Sequence, residues 1–306
     1  MRILIAGAAG LIGTRLATAS AAAGDPVSAL VRDVSRASRR LPGATLHAWE
    51  GTAGQPPAAA FESIDGVVNL MGESISEGRW SEARKKKLRD SRIVSTRALV
   101  DALRGLTKRP RVLVSASAVG YYGDRGDEIL TEASAAGTGF LADLARDWEA
   151  EALRAQELGM RVVLIRTGVV LDRHGGMLGT ILPLFRLGLG GRIGSGQQWF
   201  PWIHVDDEVG LIRHALSAEG VTGPLNAVGP EPVTNREFTS VLAATLSRPA
   251  ALAAPAFALR LAVGAKADDV LLASQRAMPV RTLETGYQFR YPLLRPALKA
   301  ALAASS

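Results

Sequence analysis

The chain has 306 residues, 47% of them hydrophobic and only 5% aromatic, enough for one large domain or two ordinary ones with a real core. It contains no cysteine, which excludes disulfides, thiolate nucleophiles and cysteine-held metals, and its four histidines (His47, His174, His204, His214) show no metal-ligand spacing such as HxxxH. The net charge of +7 would indicate nucleic acid or a membrane surface only if the charge were clustered.

The first element is ILIA (3–6), an apolar β-branched run read as a strand. GAAGLIG follows at once and opens a helix over 11–23, which should stop at Gly24 with Pro26 just beyond. The start could pass for a secretion signal, but Arg15 interrupts its apolar run, so a cytoplasmic location is expected. Further strands are VSALVR (27–32), ATLHAW (44–49), GVVNLM (66–71), RVLVSAS (111–117) and RVVLIRTGVVL (161–171). Their near-continuous apolar character is that of strands covered on both faces. Helices are expected over 81–104, with Ser81 as N-cap, and over 139–158. The alternation argues for a Rossmann-like α/β fold with a doubly wound parallel sheet.

One charge cluster exists, GRWSEARKKKLRDSR (78–92), with seven basic and two acidic residues. It reads as a solvated helix face, or as a site for an anionic substrate or cofactor phosphate. Its RKKKLR core has no interleaved aromatics to stack bases, so no nucleic-acid partner is expected. No run reaches the ~18 uncharged apolar residues of a membrane helix, so no membrane partner is expected either. After about residue 172 the texture changes to a glycine-rich stretch, a helix over 207–217 capped by Asp206, a strand LNAV (225–228) and a capping box at TNRE, Thr234 with Glu237. This divides the chain into a nucleotide-binding domain over 1–172, with sheet contributions from about 203–230, and a smaller substrate or lid domain over 173–306.

Gly7, Gly10 and Gly13 fall between the first strand and first helix. Gly7 would allow the tight turn, Gly10 the approach of a pyrophosphate, and Gly13 close helix–strand packing. The amides of Leu11 and Ile12 belong to the helix amino end that would hold the anion. An acidic residue ~20 positions on would hold an NAD ribose. Arg32 stands there, 19 residues after Gly13, and a guanidinium suits a 2′-phosphate. NADP(H) is therefore the expected cofactor, although the adjacent Asp33 would argue for NAD if the register slipped by one.

The GxxGxxG spacing resembles the short-chain dehydrogenase/reductase superfamily in its extended, epimerase/dehydratase-like branch. NLMGE (69–73), RW (79–80), RDSRIVSTR (89–97), SASAVGYYGDRGDE (115–128), RDWE (146–149), IRTGVVL (165–171) and WIHVDD (202–207) together resemble one atypical group, the "epimerase family proteins". Some of its members carry an old label as cell-division inhibitors, and its terminal domain of unknown function resembles the last ~50 residues here. The resemblance implies the fold, NADP(H) binding and an unsettled reaction. It also implies a catalytic serine, matched by Ser117, and cofactor contacts at Asn69, Leu70, Gly72, Ser115 and Arg166.

The branch's catalytic Tyr-x-x-x-Lys is missing. No tyrosine lies between Tyr122 and Tyr287, and no lysine between Lys108 and Lys266. Anchored on Glu149, the pair falls on Leu141 and Ala145. An unperturbed tyrosine titrates near ~10, so about a thousandth is ionised at pH 7. Alcohol oxidation needs that base, whereas reduction needs only a proton donor. Ser117 as hydrogen-bond donor and Tyr121 as acid are the candidate catalytic residues, each with a packing role as the alternative. Arg166 has a structural ion pair as its alternative, and His204 a domain-bridging role instead of a general-base one. Asp143, Asp147, Glu149 and Glu151 read as solvated helix face. GRIGSGQQWFPW reads as a substrate-closing or a core-filling loop.

Three functions follow. The first is an NADPH-dependent oxidoreductase of an unknown small molecule, which could pair as a homodimer. The second is a non-catalytic NADP(H)-sensing regulatory or interaction protein. The third is a nucleotide-sugar epimerase, which suffers most from the missing base.

Overall fold

The computed structural model describes residues 1–303. Strands β1 (Ile3–Ala6), β2 (Val27–Val31), β3 (Thr45–Ala48), β4 (Gly66–Asn69), β5 (Val112–Ala118) and β6 (Arg161–Thr167) form a parallel sheet. Its order is β3-β2-β1-β4-β5-β6, extended beyond β6 by a seventh strand from much later in the chain, Gly223–Ala227. The chain order reverses between β1 and β4, and such a switch point leaves a crevice at the strands' carboxyl ends. Ala6 pairs with Asn69 there, so Gly7 and Leu70 face each other.

Both sheet faces are covered. Helix α1 (Leu11–Ala22) packs on one face with Leu16 and Ala17 buried. Helices α2 (Glu82–Arg104) and α3 (Phe140–Leu153) cover the other, burying Leu99, Val100, Leu103 and Ala152 against Leu4, Val67 and Leu113. The start and stop signals work as expected. Ser81 Oγ accepts the amide of Arg84 at 3.2 Å, and Gly24 takes φ +77 just after α1. The 139–158 helix is shorter than expected: α3 ends at Leu153 and a 3₁₀ turn (Arg154–Leu158) runs into the left-handed Gly159.

The run 161–171, expected as one strand, is two. β6 stops at Thr167, and β7 (Val169–Leu171) pairs in parallel with β8 (Trp202–His204) in a separate small sheet. Gly168 is the break. A Cβ there would lie 2.8 Å from the Pro201 carbonyl oxygen, so the crossing chain excludes any side chain. The next helix, α4 (Val205–Ser217), is capped by His204 and not by Asp206: His204 Nδ1 accepts the Asp206 amide at 3.1 Å. A buried imidazole nitrogen takes the place expected of a carboxylate. The seventh sheet strand, β9 (Gly223–Ala227), follows α4. Helix α5 (Asn235–Leu246) opens on the expected reciprocal Thr234–Glu237 box. With Gly176–Arg186 and α6 (Leu294–Leu302) it forms a further core around Leu182, Trp202, Phe238 and Leu298.

Candidate functional site

The glycine loop lies at the switch point. Gly7 has φ +79, and a Cβ there would meet the Leu70 carbonyl oxygen at 2.7 Å; one at Gly13 would meet the Gly7 carbonyl oxygen at 2.6 Å. Both glycines are therefore required by backbone approach. Gly10 is different. It is exposed, caps α1, and a Cβ on it would meet only Gly7's own carbonyl, at 3.3 Å. It leaves an open cradle in front of the helix's free amides. No acidic side chain sits in the first turn of α1, so nothing there opposes an anion. Leu11 and Ile12 are half-buried, and Leu11 abuts the 175–176 turn.

Arg32 lies at the mouth of the crevice, with its side chain 74% exposed and Nη1 3.0 Å from Glu73 Oε1. Asp33 caps a short helix, its Oδ1 accepting the Arg36 amide at 2.9 Å. On the other flank, Asn69 is buried, donating to Thr96 Oγ1 (2.8 Å) and Ser115 Oγ (3.2 Å) while accepting the Met71 amide. Ser115 is fully buried in that network. These two side chains hold the 69–71 backbone in place, and the surfaces left to the crevice come from Leu70, half-buried, and Gly72, exposed. Gly72 stacks its backbone on Arg92, where a Cβ would lie 2.9 Å from Cζ.

Further along the crevice the structure brings Ser117, Glu149, Arg166 and Tyr121 together. Glu149, expected on the solvated face of its helix, is buried at 6% exposure. It accepts the Ser117 hydroxyl at 2.6 Å and a two-pronged Arg166 contact, Nε–Oε1 at 2.8 Å and Nη2–Oε2 at 2.9 Å. Asp143 and Asp147 face outward, paired with Arg146 and Arg89, whereas Glu151, its side chain only 12% exposed, is held between Arg97 and Arg154. Burial alone would lower the Arg166 pKa, but the hydrogen bonds and charge of Glu149 outweigh it and hold the guanidinium above its ordinary value. Arg166 also donates to Tyr122 Oη at 3.1 Å and lies over the Tyr121 ring at 3.5 Å. Tyr122 is fully buried, donates to Asn226 Oδ1 at 2.7 Å, and has its phenol pushed up by burial against the opposing Arg166 charge. Tyr121 is half-buried and meets Tyr122 edge-on at 5.4 Å. Leu141 and Ala145 stand on the helix where the pair would be, with the Leu141 side chain against Gly120.

Residues outside the crevice have structural places. His204 is buried, its pKa lowered by burial, and its ring lies 4.1 Å from that of Tyr291 in the C-terminal segment. In GRIGSGQQWFPW the aromatics are spent on packing: Trp202 is buried, Phe200 stacks on Phe238, and Trp199 Nε1 donates to Asp127 at 2.9 Å. Gln198 donates to the carbonyls of Ile193 and Leu271. Glu208, which no sequence motif marks, is buried in α4 and accepts from Thr167 Oγ1 at 2.8 Å, with Oε2 unpartnered among the described residues.

Burial pushes the Glu208 carboxyl from 4.5 up to about 8, against the small opposing pull of Thr167. A raised acid is protonated in the folded chain and ionised in the unfolded one. Its stabilising contribution is therefore full below about 4.5 and is lost as pH rises through about 8. Glu208→Gln should remove that slope, about 1.4 kcal/mol per pH unit. In urea unfolding the variant should match the parent chain near about pH 5, pull ahead of it as pH rises, and hold its full lead above about pH 8. Equal pH slopes in the two proteins would show that the carboxyl is not held neutral.

A parallel sheet with a glycine cradle at its switch point, and a serine at the end of β5, defines the extended short-chain dehydrogenase/reductase fold. The chain belongs to the NAD dependent epimerase/dehydratase family, whose model matches residues 3–229, and a model of a domain of unknown function (DUF1731) matches residues 254–301. It is 44% identical over 296 residues to the epimerase family protein Mb2239 of Mycobacterium bovis, covering 97% of this chain and 96% of that one. The structure of human epimerase family protein SDR39U1 (isoform 2) with NADPH superposes with a TM-score of 0.88 at 38% identity, covering 98% and 99% of the two chains. A nucleoside-diphosphate sugar epimerase from Corynebacterium glutamicum superposes with a TM-score of 0.78 at 35% identity, covering 99% of this chain and 58% of that one. Among the described residues no helix is long and apolar enough to cross a membrane.

Proposed function

We propose that the chain binds NADP(H) and acts as a reductase on a small carbonyl compound or activated alkene. The carrying observation is the open cradle at Gly10 in front of α1, with the exposed guanidinium of Arg32 at the same crevice. Asp33, the acid that would favour NAD, is engaged through one oxygen as a helix cap. The NADPH in the human SDR39U1 structure supports the reading.

Bound NADPH would supply a hydride. The chain's own residues do the rest. The amides of α1 and the backbone at Leu70 and Gly72 hold and orient the nucleotide. Tyr121, its ring set by Arg166, is the proton donor to the nascent oxyanion. Leu141 and Ala145 provide no base for alcohol oxidation, so the reductive direction is favoured. Epimerisation through a ketone needs both directions and lacks the same base.

One observation favours a second reading, NADP(H) binding without turnover: the Ser117 hydroxyl donates to Glu149 and is buried, so it has no proton left to give a substrate. NADPH is incubated with the protein and a panel of aldehydes, ketones and enones, and the reduced-nicotinamide absorbance is followed. Turnover that falls at least about tenfold in Tyr121→Phe supports the reductase. Tight NADPH binding with no turnover on any compound supports the second reading, and no binding overturns both.

A further inference from the structure

We propose that Glu73 is a second determinant of cofactor choice, an internal carboxylate that competes with the adenosine 2′-phosphate for Arg32. This rests on the nucleotide-binding reading above.

The glycine loop has β2 on one side and β4 on the other. Arg32 leaves the end of β2, and Glu73 lies four residues past the end of β4. Their 3.0 Å contact therefore reaches across the crevice mouth. An adenosine ribose entering a switch-point crevice lies between those two flanks, which puts its 2′ substituent beside both side chains.

The two partners differ in freedom. Glu73 is held on every side. Its amide donates to Ser91 Oγ at 3.0 Å, its carbonyl accepts from Arg92 Nη2 at 3.0 Å, and its other carboxylate oxygen lies 3.4 Å from Arg84 Nη1. Arg84 is itself anchored on the Ser74 carbonyl and largely buried. Among the described residues Arg32 is held by Glu73 alone and is mostly exposed. An exposed ion pair of this kind is weak, so the arginine can turn to a phosphate while the carboxylate stays where it is.

A fixed carboxylate then does two opposite things. It accepts the 2′-hydroxyl of NAD, the task usually given to an acid at the end of the second strand. It also repels a 2′-phosphate and withholds part of Arg32 from it. The chain should accept both dinucleotides, with a preference for NADPH that shrinks as salt screens the Arg32–phosphate attraction.

The test measures dissociation constants of NADPH and NADH for the intact chain, Glu73→Gln and Arg32→Gln. Adenosine 2′,5′-bisphosphate and 5′-AMP serve as probes of the adenosine end alone. Glu73→Gln should tighten NADPH and the bisphosphate about three- to tenfold and weaken NADH by a similar factor. Arg32→Gln, on the surface and safe for folding, should weaken NADPH at least about tenfold and leave NADH unchanged or tighter. If the parent chain binds both dinucleotides but Glu73→Gln leaves their ratio within about twofold of the parent's, Glu73 has no such role and the nucleotide-binding reading survives. If neither dinucleotide binds the parent chain, that reading falls first and this one with it. Should Glu73→Gln fail to fold, Glu73→Asp, which draws the carboxylate back from Arg32, takes its place: a ratio within about twofold of the parent's overturns the competition.

Discussion

Arg166→Met is expected to lower the unfolding free energy by about 3–5 kcal/mol, because removing one partner of a buried ion pair leaves the other charged and dry. Arg166 is 3% exposed and Glu149 is 6% exposed, so neither can turn to solvent. The arginine also holds Tyr122 Oη and the Glu132 carbonyl, and those contacts go with it. Arg166→Met combined with Glu149→Leu should be less damaging than the single change, since apolar pairs of similar volume often replace a buried ion pair at little cost. Urea unfolding of the two singles and the double, arranged as a cycle, measures the coupling. A loss below about 1 kcal/mol in Arg166→Met would mean that the pair is hydrated, contrary to its burial.

Gly13→Val is expected to abolish NADPH binding, by at least about a hundredfold, and to cost about 1–3 kcal/mol of stability. Its Cβ would lie 2.6 Å from the Gly7 carbonyl oxygen and 2.7 Å from the Ala8 Cα. Both neighbours are backbone, so relief requires α1 to move away from the loop, and the helix amides would lose their aim on the diphosphate. Gly24→Ala supplies the control. Gly24 has φ +77 but nothing within 4 Å of its Cβ position, so it should show only backbone strain of about 1 kcal/mol and unchanged nucleotide affinity. Titration by tryptophan fluorescence, with melting temperatures alongside, separates the two effects. Equal affinities for Gly13→Val and the parent would remove α1 from the binding site.

The parallel sheet and the glycine turn were legible because both are written in local backbone requirements. Apolar runs mark doubly covered strands, and glycines mark places where a carbonyl of another segment sits where a Cβ would be. The centre of the candidate site was not. Asp143, Asp147, Glu149 and Glu151 look alike along one helix, and only the tertiary position of Arg166 on β6 decides that Glu149 turns inward. A signal did exist: an arginine inside the apolar run RVVLIRTGVVL calls for a buried acid. Gly168 in the same run marked the break between β6 and β7, which strand periodicity alone ran through. His204 hid its capping role because an imidazole nitrogen replaced the usual oxygen, and Glu208 hid among the acidic residues that ordinarily begin a helix. The Arg32–Glu73 contact joins segments 41 residues apart, which no short motif encodes.

The seventh strand has a consequence for the order of assembly. Gly223–Ala227 closes the sheet's open side only after more than fifty residues of intervening chain, and from it Asn226 reaches Tyr122, Glu132 and Met278. Until that strand is made, β6 is expected to be an unpaired edge, open to pairing with another chain. A gene stopped after β7 is expected to leave β6 as an exposed edge, and its product should be less soluble than the full chain.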